Sequence, residues 1–134
     1  MYLFDTDTIT GVLKKSPFPG LVKKLQKLKK SNQFISTITI SEIVYGAYKS
    51  ARPDYHIERL EELLLPAVNI LLFDTKASYI CGRLRAELQQ KGMALSLADL
   101  QIASIAIAND LILITGNTKH FKRIDILQID NWLK

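Results

Sequence analysis

Acidic side chains at three separate places in the chain have the types and settings that metal-assisted phosphate chemistry needs. Asp5 ends an apolar segment at the N-terminus, Glu42 lies in ISEIVYGAYKS, and Asp99 lies near the start of an otherwise apolar helical pattern. Carboxylate oxygens suit hard cations such as Mg²⁺ or Mn²⁺. Such ions can generate hydroxide and stabilise an in-line phosphoryl transition state without a protein nucleophile. These residues therefore favour phosphodiester hydrolysis.

A fourth polar cluster, TGNTKHF, follows the apolar run Leu111 to Ile114. Gly116 permits an unusual turn, and Thr115 and Asn117 offer short polar side chains to a metal ion, a water or a phosphate. The same composition is typical of a plain surface turn. This segment alone leaves both interpretations open.

The acids also have structural explanations. Thr39-Ile40-Ser41-Glu42 matches a capping box, and Ser96-Leu97-Ala98-Asp99 has a similar spacing. Asp7 has the setting of an N-cap for a short helix beginning around Thr8. Spacing alone does not decide between capping and metal binding.

The tetrapeptide LFDT occurs twice, at Leu3 to Thr6 and at Leu72 to Thr75. Asp74 precedes a long helical pattern, so a role as the N-cap of that helix fully explains an aspartate at this position. Asp5 is followed by Asp7 and by little immediate helix. We therefore place Asp5 in the candidate site and leave Asp74 out.

Other catalytic patterns are poorly supported. The chain has no glycine-rich phosphate loop with its lysine, no GxSxG elbow and no GxGxxG fingerprint. Its single cysteine, Cys81, and its two histidines, His56 and His120, lack ligand-like spacing, which argues against a closed zinc site.

Length and composition predict a single domain spanning residues 1–134, because 134 residues with 48% hydrophobic content can bury an ordinary core. A lone cysteine and the lack of a long uncharged apolar run favour a cytoplasmic protein that does not contact the membrane. The net charge of +5 includes seven lysines in the acid-free interval between Asp7 and Glu42: Lys14, Lys15, Lys23, Lys24, Lys27, Lys29 and Lys30. Such an interval is typical of a solvated helix face and is also able to attract a polyanion.

Strand patterns alternate with helix patterns along the whole chain. Predicted strands cover Met1 to Asp5, Phe34 to Ile38, Asn69 to Phe73, Leu111 to Thr115 and Ile126 to Ile129. Predicted helices begin at Ser16-Pro17, at Thr39, at Asp54 (ending at Leu65), after Asp74 and after the cap Ser96. This alternation predicts an α/β fold with a parallel sheet covered on both faces, with ligands at the carboxyl ends of its strands. Asp5, Thr115 and Asn117 should meet at that edge.

Four segments, YLFDTDTI, ISEIVYGAYKS, LSLADLQIASIAIA and LILITGNTKHFKRI, occur in the order typical of one family. Over almost its whole length the chain resembles a VapC-type PIN domain. The resemblance implies a three-layer α/β/α fold with a central mostly parallel sheet. It also implies a catalytic set of Asp5, Glu42, Asp99 and Asn117, in which Asp5, Asp99 and Glu42 bind Mg²⁺ or Mn²⁺.

Two positions depart from the family pattern. Asn117 is neutral where a fourth acid is frequent, and Asp7 stands where asparagine is common. Asp7, together with Thr6 and Thr115, is a candidate for orienting water or phosphate. The neutral Asn117 predicts a weak or water-mediated metal contact.

The family resemblance further implies a metal-dependent endoribonuclease, the toxin of a type II toxin–antitoxin system. Its expected partners are an RNA substrate, with tRNA as a candidate, a cognate VapB-type antitoxin and a second copy in a homodimer. Two alternatives stay open from the sequence. One is a catalytically weak PIN domain that binds RNA or protein, and the other is a related carboxylate-metal DNA nuclease or phosphatase.

Overall fold

The computed structural model describes residues 1–14 and 16–133, which contain a five-stranded, entirely parallel sheet in the order β3-β2-β1-β4-β5. The strands are β1 (Tyr2–Phe4), β2 (Gln33–Ser36), β3 (Asn69–Leu71), β4 (Ile112–Ile114) and β5 (Ile129–Asp130). The predicted parallel α/β sheet is confirmed. Each strand is shorter than or shifted from its predicted range, as expected for boundaries read from sequence alone.

Helices connect the strands and cover both faces of the sheet. They are α1 (Thr6–Leu13), α2 (Pro19–Gln26), α3 (Thr37–Lys49), α4 (Pro53–Arg59), α5 (Thr75–Gln90), α6 (Leu97–Ala108) and α7 (Thr118–Phe121). Among the described residues, no helix combines the length and the apolar character needed to cross a membrane.

Neighbouring residues on the central strands point to opposite faces and join separate apolar cores. Leu3 and Leu113 pack with α5 and α6, whereas Phe4 and Ile114 pack with α1, α2 and the segment after α4. Side chains alternate in direction along a strand, so these fully buried strands are apolar at every position. The result is the three-layer α/β/α arrangement that the family resemblance implied.

Four predicted helix boundaries are wrong. α1 begins at Thr6, directly after β1, because Asp5 caps it. α2 begins at Pro19 rather than at Ser16-Pro17, since either proline can occupy the first helical position. α3 begins at Thr37 and is capped by Ser36, two residues before the predicted start.

The fourth wrong boundary concerns the helix predicted from Asp54 to Leu65. Regular α-helix ends at Arg59, and the chain continues as a π-helical segment, Leu60–Leu64, and a 3₁₀ turn, Leu65–Ala67. Pro66 has no backbone N–H to donate to the carbonyl of Glu62, which accounts for the end of the helical segment near Leu65 but not for the change at Leu60.

Strand β1 lies between β2 and β4, and the chain leaves β1 and β4 in opposite directions across the sheet. Such a switch point opens a crevice at the carboxyl ends of the strands, which is where α/β proteins bind ligands. Asp5 directly follows β1 and Thr115 directly follows β4. The fold therefore places the first predicted site residues at the crevice.

Candidate active site

Asp5 lies at the base of the crevice with only 5% of its surface exposed. Its Oδ1 accepts a hydrogen bond from the backbone N–H of Thr6 at 2.8 Å, and its Oδ2 accepts one from the Thr115 hydroxyl at 2.7 Å. Asp5 is the N-cap of α1, so the prediction that little helix follows Asp5 is wrong. Asp74 caps α5 in the same way but is exposed, and burial is what separates the two LFDT copies.

Burial raises the pKa of the Asp5 carboxyl to about 7, because removal from water disfavours its charged form. The hydrogen bonds from Thr115 and Thr6 oppose this rise, while the negative charges of Asp7 and Asp99 add to it. Asp5 thus lies in a pocket of unbalanced negative charge.

Glu42 is half-buried on α3 and accepts a hydrogen bond from the Thr6 hydroxyl at 2.5 Å. Of the two alternatives left open for Glu42, the capping box from Thr39 to Glu42 is not formed. Ser36 is the actual cap, and its Oγ accepts the backbone N–H of Thr39 at 3.1 Å. Glu42 therefore lies one turn further into the helix than a capping glutamate, and its carboxylate faces α1 across the crevice.

Asp99 is half-buried in the first turn of α6, beside the same crevice. Its backbone N–H donates to the Ser96 hydroxyl at 3.1 Å, which confirms the predicted Ser96 cap. Within residues 1–14 and 16–133, the Asp99 carboxylate makes no return bond to Ser96, so the second half of a capping box is absent. The carboxylate is available at the crevice.

Asp7 is exposed and lies inside α1. The sequence had suggested that Asp7 caps a helix beginning around Thr8, and this is wrong. Its Oδ2 accepts the backbone N–H of Gly116 at 2.9 Å, so it ties α1 to the turn after β4. A Cβ on residue 116 would lie 2.7 Å from that oxygen and 2.9 Å from the Leu133 side chain. A larger residue at position 116 would therefore have to displace the Asp7 carboxylate and the end of the Leu133 side chain.

Thr115 and Asn117 form the turn after β4. The buried Thr115 hydroxyl donates to Asp5 and accepts the backbone N–H of Asn117 at 2.9 Å. The Asn117 side-chain amide lies 2.9 Å from Nδ1 of His120, which is exposed. This network sets the orientation of both Asp5 and the turn.

One open crevice brings these groups together: its walls include Asp5, Thr6, Asp7, Glu42, Asp99 and Asn117. Thr115 lies beneath it. Sequence reasoning missed four further wall residues, Thr10, Gly11, Lys14 and Leu133. Thr10 and Lys14 follow Thr6 at intervals of four, so recognising α1 would have revealed them. Leu133 reaches the crevice from the end of the chain, and no local pattern predicts that contact.

The crevice fits a divalent cation by donor chemistry and by charge. In the described ranges the sole salt bridge joins Arg83 and Glu87 on α5, so no lysine or arginine there forms a salt bridge with the crevice acids. Lys14 is the one cation among the described crevice walls, against the four acids Asp5, Asp7, Glu42 and Asp99. Across residues 1–14 and 16–133, however, no three Asp, Glu, His or Cys side chains are arranged to hold a metal as they stand. The fit therefore rests on oxygen donors and an excess of negative charge rather than on a ready-made ligand geometry.

Six of the seven lysines in the acid-free interval are exposed, and Lys15 lies outside the described residues. Lys14 reaches the crevice, and Lys24 lies over the Trp132 ring at 5.2 Å from its centroid. The others lie on or near α2, which agrees with a solvated helix face.

A family model described as PIN domain matches residues 2–127. The chain therefore belongs to the PIN-domain family. It is 37% identical to Ribonuclease VapC2 of Rickettsia felis, with 100% of this chain and 99% of that protein covered. It is 32% identical to the tRNA(fMet)-specific endonuclease VapC of Salmonella typhimurium, with 98% and 97% covered. The predicted resemblance to VapC-type members is confirmed.

Solved structures agree with this assignment. The chain superposes with a TM-score of 0.91 and 36% identity on a chain of VapBC2 from Rickettsia felis bound to a promoter DNA fragment, with 98% of each chain covered. For FitAcB from Neisseria gonorrhoeae the TM-score is 0.88 and the identity 29%, with 98% and 97% covered.

Proposed function

We propose that this protein is a metal-dependent endoribonuclease that hydrolyses RNA phosphodiester bonds and acts as the toxin of a type II toxin–antitoxin system. The observation that carries the proposal is the meeting of Asp5, Glu42 and Asp99 at one crevice at the switch point of the sheet. Relatives that share almost the whole chain are named ribonucleases and endonucleases.

Asp5, Asp99 and Glu42 are the residues that would hold Mg²⁺ or Mn²⁺. When bound, such an ion supplies an activated water and neutralises charge on the phosphate. The protein's own part is orientation. The Thr115 hydroxyl holds one Asp5 oxygen, and the Thr6 hydroxyl holds one Glu42 oxygen, so both carboxylates keep fixed positions.

Asn117 completes the catalytic set as a neutral group, offering an amide to water or phosphate. Asp7 acts on the site indirectly, because its bond to Gly116 fixes the turn that carries Thr115 and Asn117. Its negative charge also raises the Asp5 pKa, which strengthens the need for a cation.

The proposed partners follow the relatives. The substrate is RNA, with tRNA as the first candidate, since one relative is named a tRNA(fMet)-specific endonuclease. The inhibitor is a cognate VapB-type antitoxin, since similar structures are VapBC complexes. We further propose that residues 1–134 form a single PIN domain, that the protein is cytoplasmic, and that it acts as a homodimer. A net charge of +5 favours a polyanionic substrate.

The test is cleavage of a mixed small-RNA pool by purified protein with Mg²⁺, with Mn²⁺ and with EDTA. We expect discrete cuts that disappear in EDTA and in the variant Asp99→Asn. The matched control is Asp74→Asn, which changes an exposed helix-cap carboxylate outside the crevice. It should cut like the wild type.

Substrate competition separates ribonuclease activity from the related possibilities. We expect unlabelled RNA to inhibit the cleavage, while equal amounts of single-stranded DNA or of p-nitrophenyl phosphate do not. RNA that stays intact with every metal, or is cut equally by Asp99→Asn, contradicts the proposal. RNA that is bound but never cut would make the protein a binding module.

A further inference from the structure

A second cavity adjoins the acidic crevice, between α1, α3 and α4. Its walls are largely apolar, from Leu13, Ile43, Gly46 and Ala47. Its rim carries the cations Lys14 and Arg59, with the His56 ring beside them. A volume of about 330 Å³ lies at the small end of the range of roughly 300–1,000 Å³ for ligand pockets, which suits one compact group. We call it the side groove.

The side groove and the acidic crevice share part of their walls. Thr6, Thr10, Lys14 and Glu42 line both cavities. If one phosphate of an RNA strand lies at the acids, the adjacent nucleotide of that strand therefore lies beside the side groove. The occupant of the groove is thus connected to the molecule that is cut.

Arg59 is held in place at the rim of the side groove. Its Nε donates to the backbone carbonyl of Leu13 at 3.0 Å, and its guanidinium lies over the Tyr55 ring, 5.5 Å from the centroid. A guanidinium has five N–H donors, so others stay available to an anion. An arginine fixed in this way loses little conformational freedom on binding a phosphate.

Gly46 lies inside α3, where glycine is less favourable than any residue except proline. Its φ is not positive, and a Cβ built on it meets nothing within 4 Å. Neither backbone conformation nor close packing explains glycine there. Its effect is to leave the wall of the side groove without a side chain.

We propose that the side groove binds one unpaired nucleotide of the RNA, next to the phosphate that is cut, a proposal that rests on the proposed ribonuclease function. The base packs on the apolar wall over Gly46, and the adjoining phosphate pairs with Lys14 and Arg59. Apolar contact below and cations at the rim match a nucleotide, which has an apolar base face and an anionic backbone.

The test uses two helix-interior glycines. Gly82 on α5 resembles Gly46 in that a Cβ there also meets nothing within 4 Å, but it lies outside the groove. The variants Gly46→Leu and Gly82→Leu are compared for binding of a fluorescent eight-nucleotide RNA of mixed sequence in EDTA, where cutting does not intervene. Circular dichroism and thermal unfolding confirm that both are folded.

We expect Gly46→Leu to weaken binding about tenfold, within the range for losing one base contact, and Gly82→Leu to bind like the wild type. A second arm uses the RNA that the wild type cuts, with a single abasic nucleotide placed at each position in turn. One position beside the cut should weaken wild-type binding, and the same lesion should have no further effect in Gly46→Leu.

Equal RNA binding by Gly46→Leu and the wild type overturns the nucleotide site, while wild-type cleavage still leaves the ribonuclease standing. If Gly46→Leu binds RNA normally but fails to bind a VapB-type antitoxin, the groove is a protein-docking site and the proposal is wrong. If the wild type neither binds nor cuts RNA, the proposed function itself fails.

Discussion

The burial of Asp5 predicts that its charge destabilises the metal-free protein. Its pKa rises from 3.8 to about 7 on folding, chiefly because burial disfavours the ionised form. The folded state therefore holds this proton more tightly than the unfolded state does. The stabilisation from the neutral form is complete below about pH 4 and is lost as the pH rises through about 7.

The size of the effect follows from the shift. A rise of about three pKa units corresponds to at most about 4 kcal/mol, at about 1.4 kcal/mol per unit. Roughly 2.5 kcal/mol of this loss falls between pH 5 and pH 8. The variant Asp5→Asn removes the charge and keeps an N-cap residue of similar quality. It should lack this part of the pH dependence.

The assay is urea unfolding in EDTA at pH 5 and pH 8, for the wild type, Asp5→Asn and the control Asp74→Asn. Groups outside the crevice contribute equally to the wild type and Asp5→Asn, so the difference between their pH dependences reports on Asp5 together with its interactions with Asp7 and Asp99. We expect the wild type and Asp74→Asn to lose about 2 to 3 kcal/mol more than Asp5→Asn over this interval. If Asp5→Asn loses as much as the wild type, the buried carboxylate does not carry the unbalanced charge described above.

Two further predictions concern neighbours of the acids, and a third concerns a glycine of α5 outside the crevice. Thr6→Val removes the hydroxyl that donates a hydrogen bond to Glu42. RNA cleavage should slow about tenfold, while the free energy of unfolding changes by no more than about 0.5 kcal/mol. An unchanged cleavage rate would show that this hydrogen bond does not position Glu42. Gly116→Ala should lower the free energy of unfolding by about 1 to 3 kcal/mol, measured by urea unfolding, because the alanine Cβ would collide with the Asp7 carboxylate. An unchanged free energy of unfolding would contradict this close approach. Gly82→Ala should stabilise the protein by about 1 kcal/mol in the same assay, since a helix favours alanine over glycine and the space is open; destabilisation would refute this reading.

The parallel sheet and its two covered faces were predictable because strand and helix patterns alternate so regularly. The buried runs around Leu3 and Leu113 are apolar at every position, as strands covered on both faces must be. Ser96 was correctly predicted as the N-cap of its helix. Local physical chemistry determines these features, so sequence reveals them.

The errors occurred where tertiary contacts decide between locally equivalent choices. Thr39 and Ser36 are both residues that can cap a helix. Ser36 is the cap of α3 because β2 ends at Ser36 and the helix begins at the next residue. The LFDT copies are locally identical, and the fold buries Asp5 while it exposes Asp74. The pairing of Glu42 with Thr6, 36 positions apart, has no local signal.

The most direct test of the central claim is X-ray diffraction from crystals soaked in Mn²⁺, recorded near the manganese absorption edge. We predict anomalous density for one or two ions at the crevice, bounded by the carboxylates of Asp5 and Asp99, and no such density in crystals of Asp99→Asn. Manganese elsewhere on the protein, with the crevice empty while the same preparation cuts RNA in Mn²⁺, would contradict the assignment of these acids as the metal site.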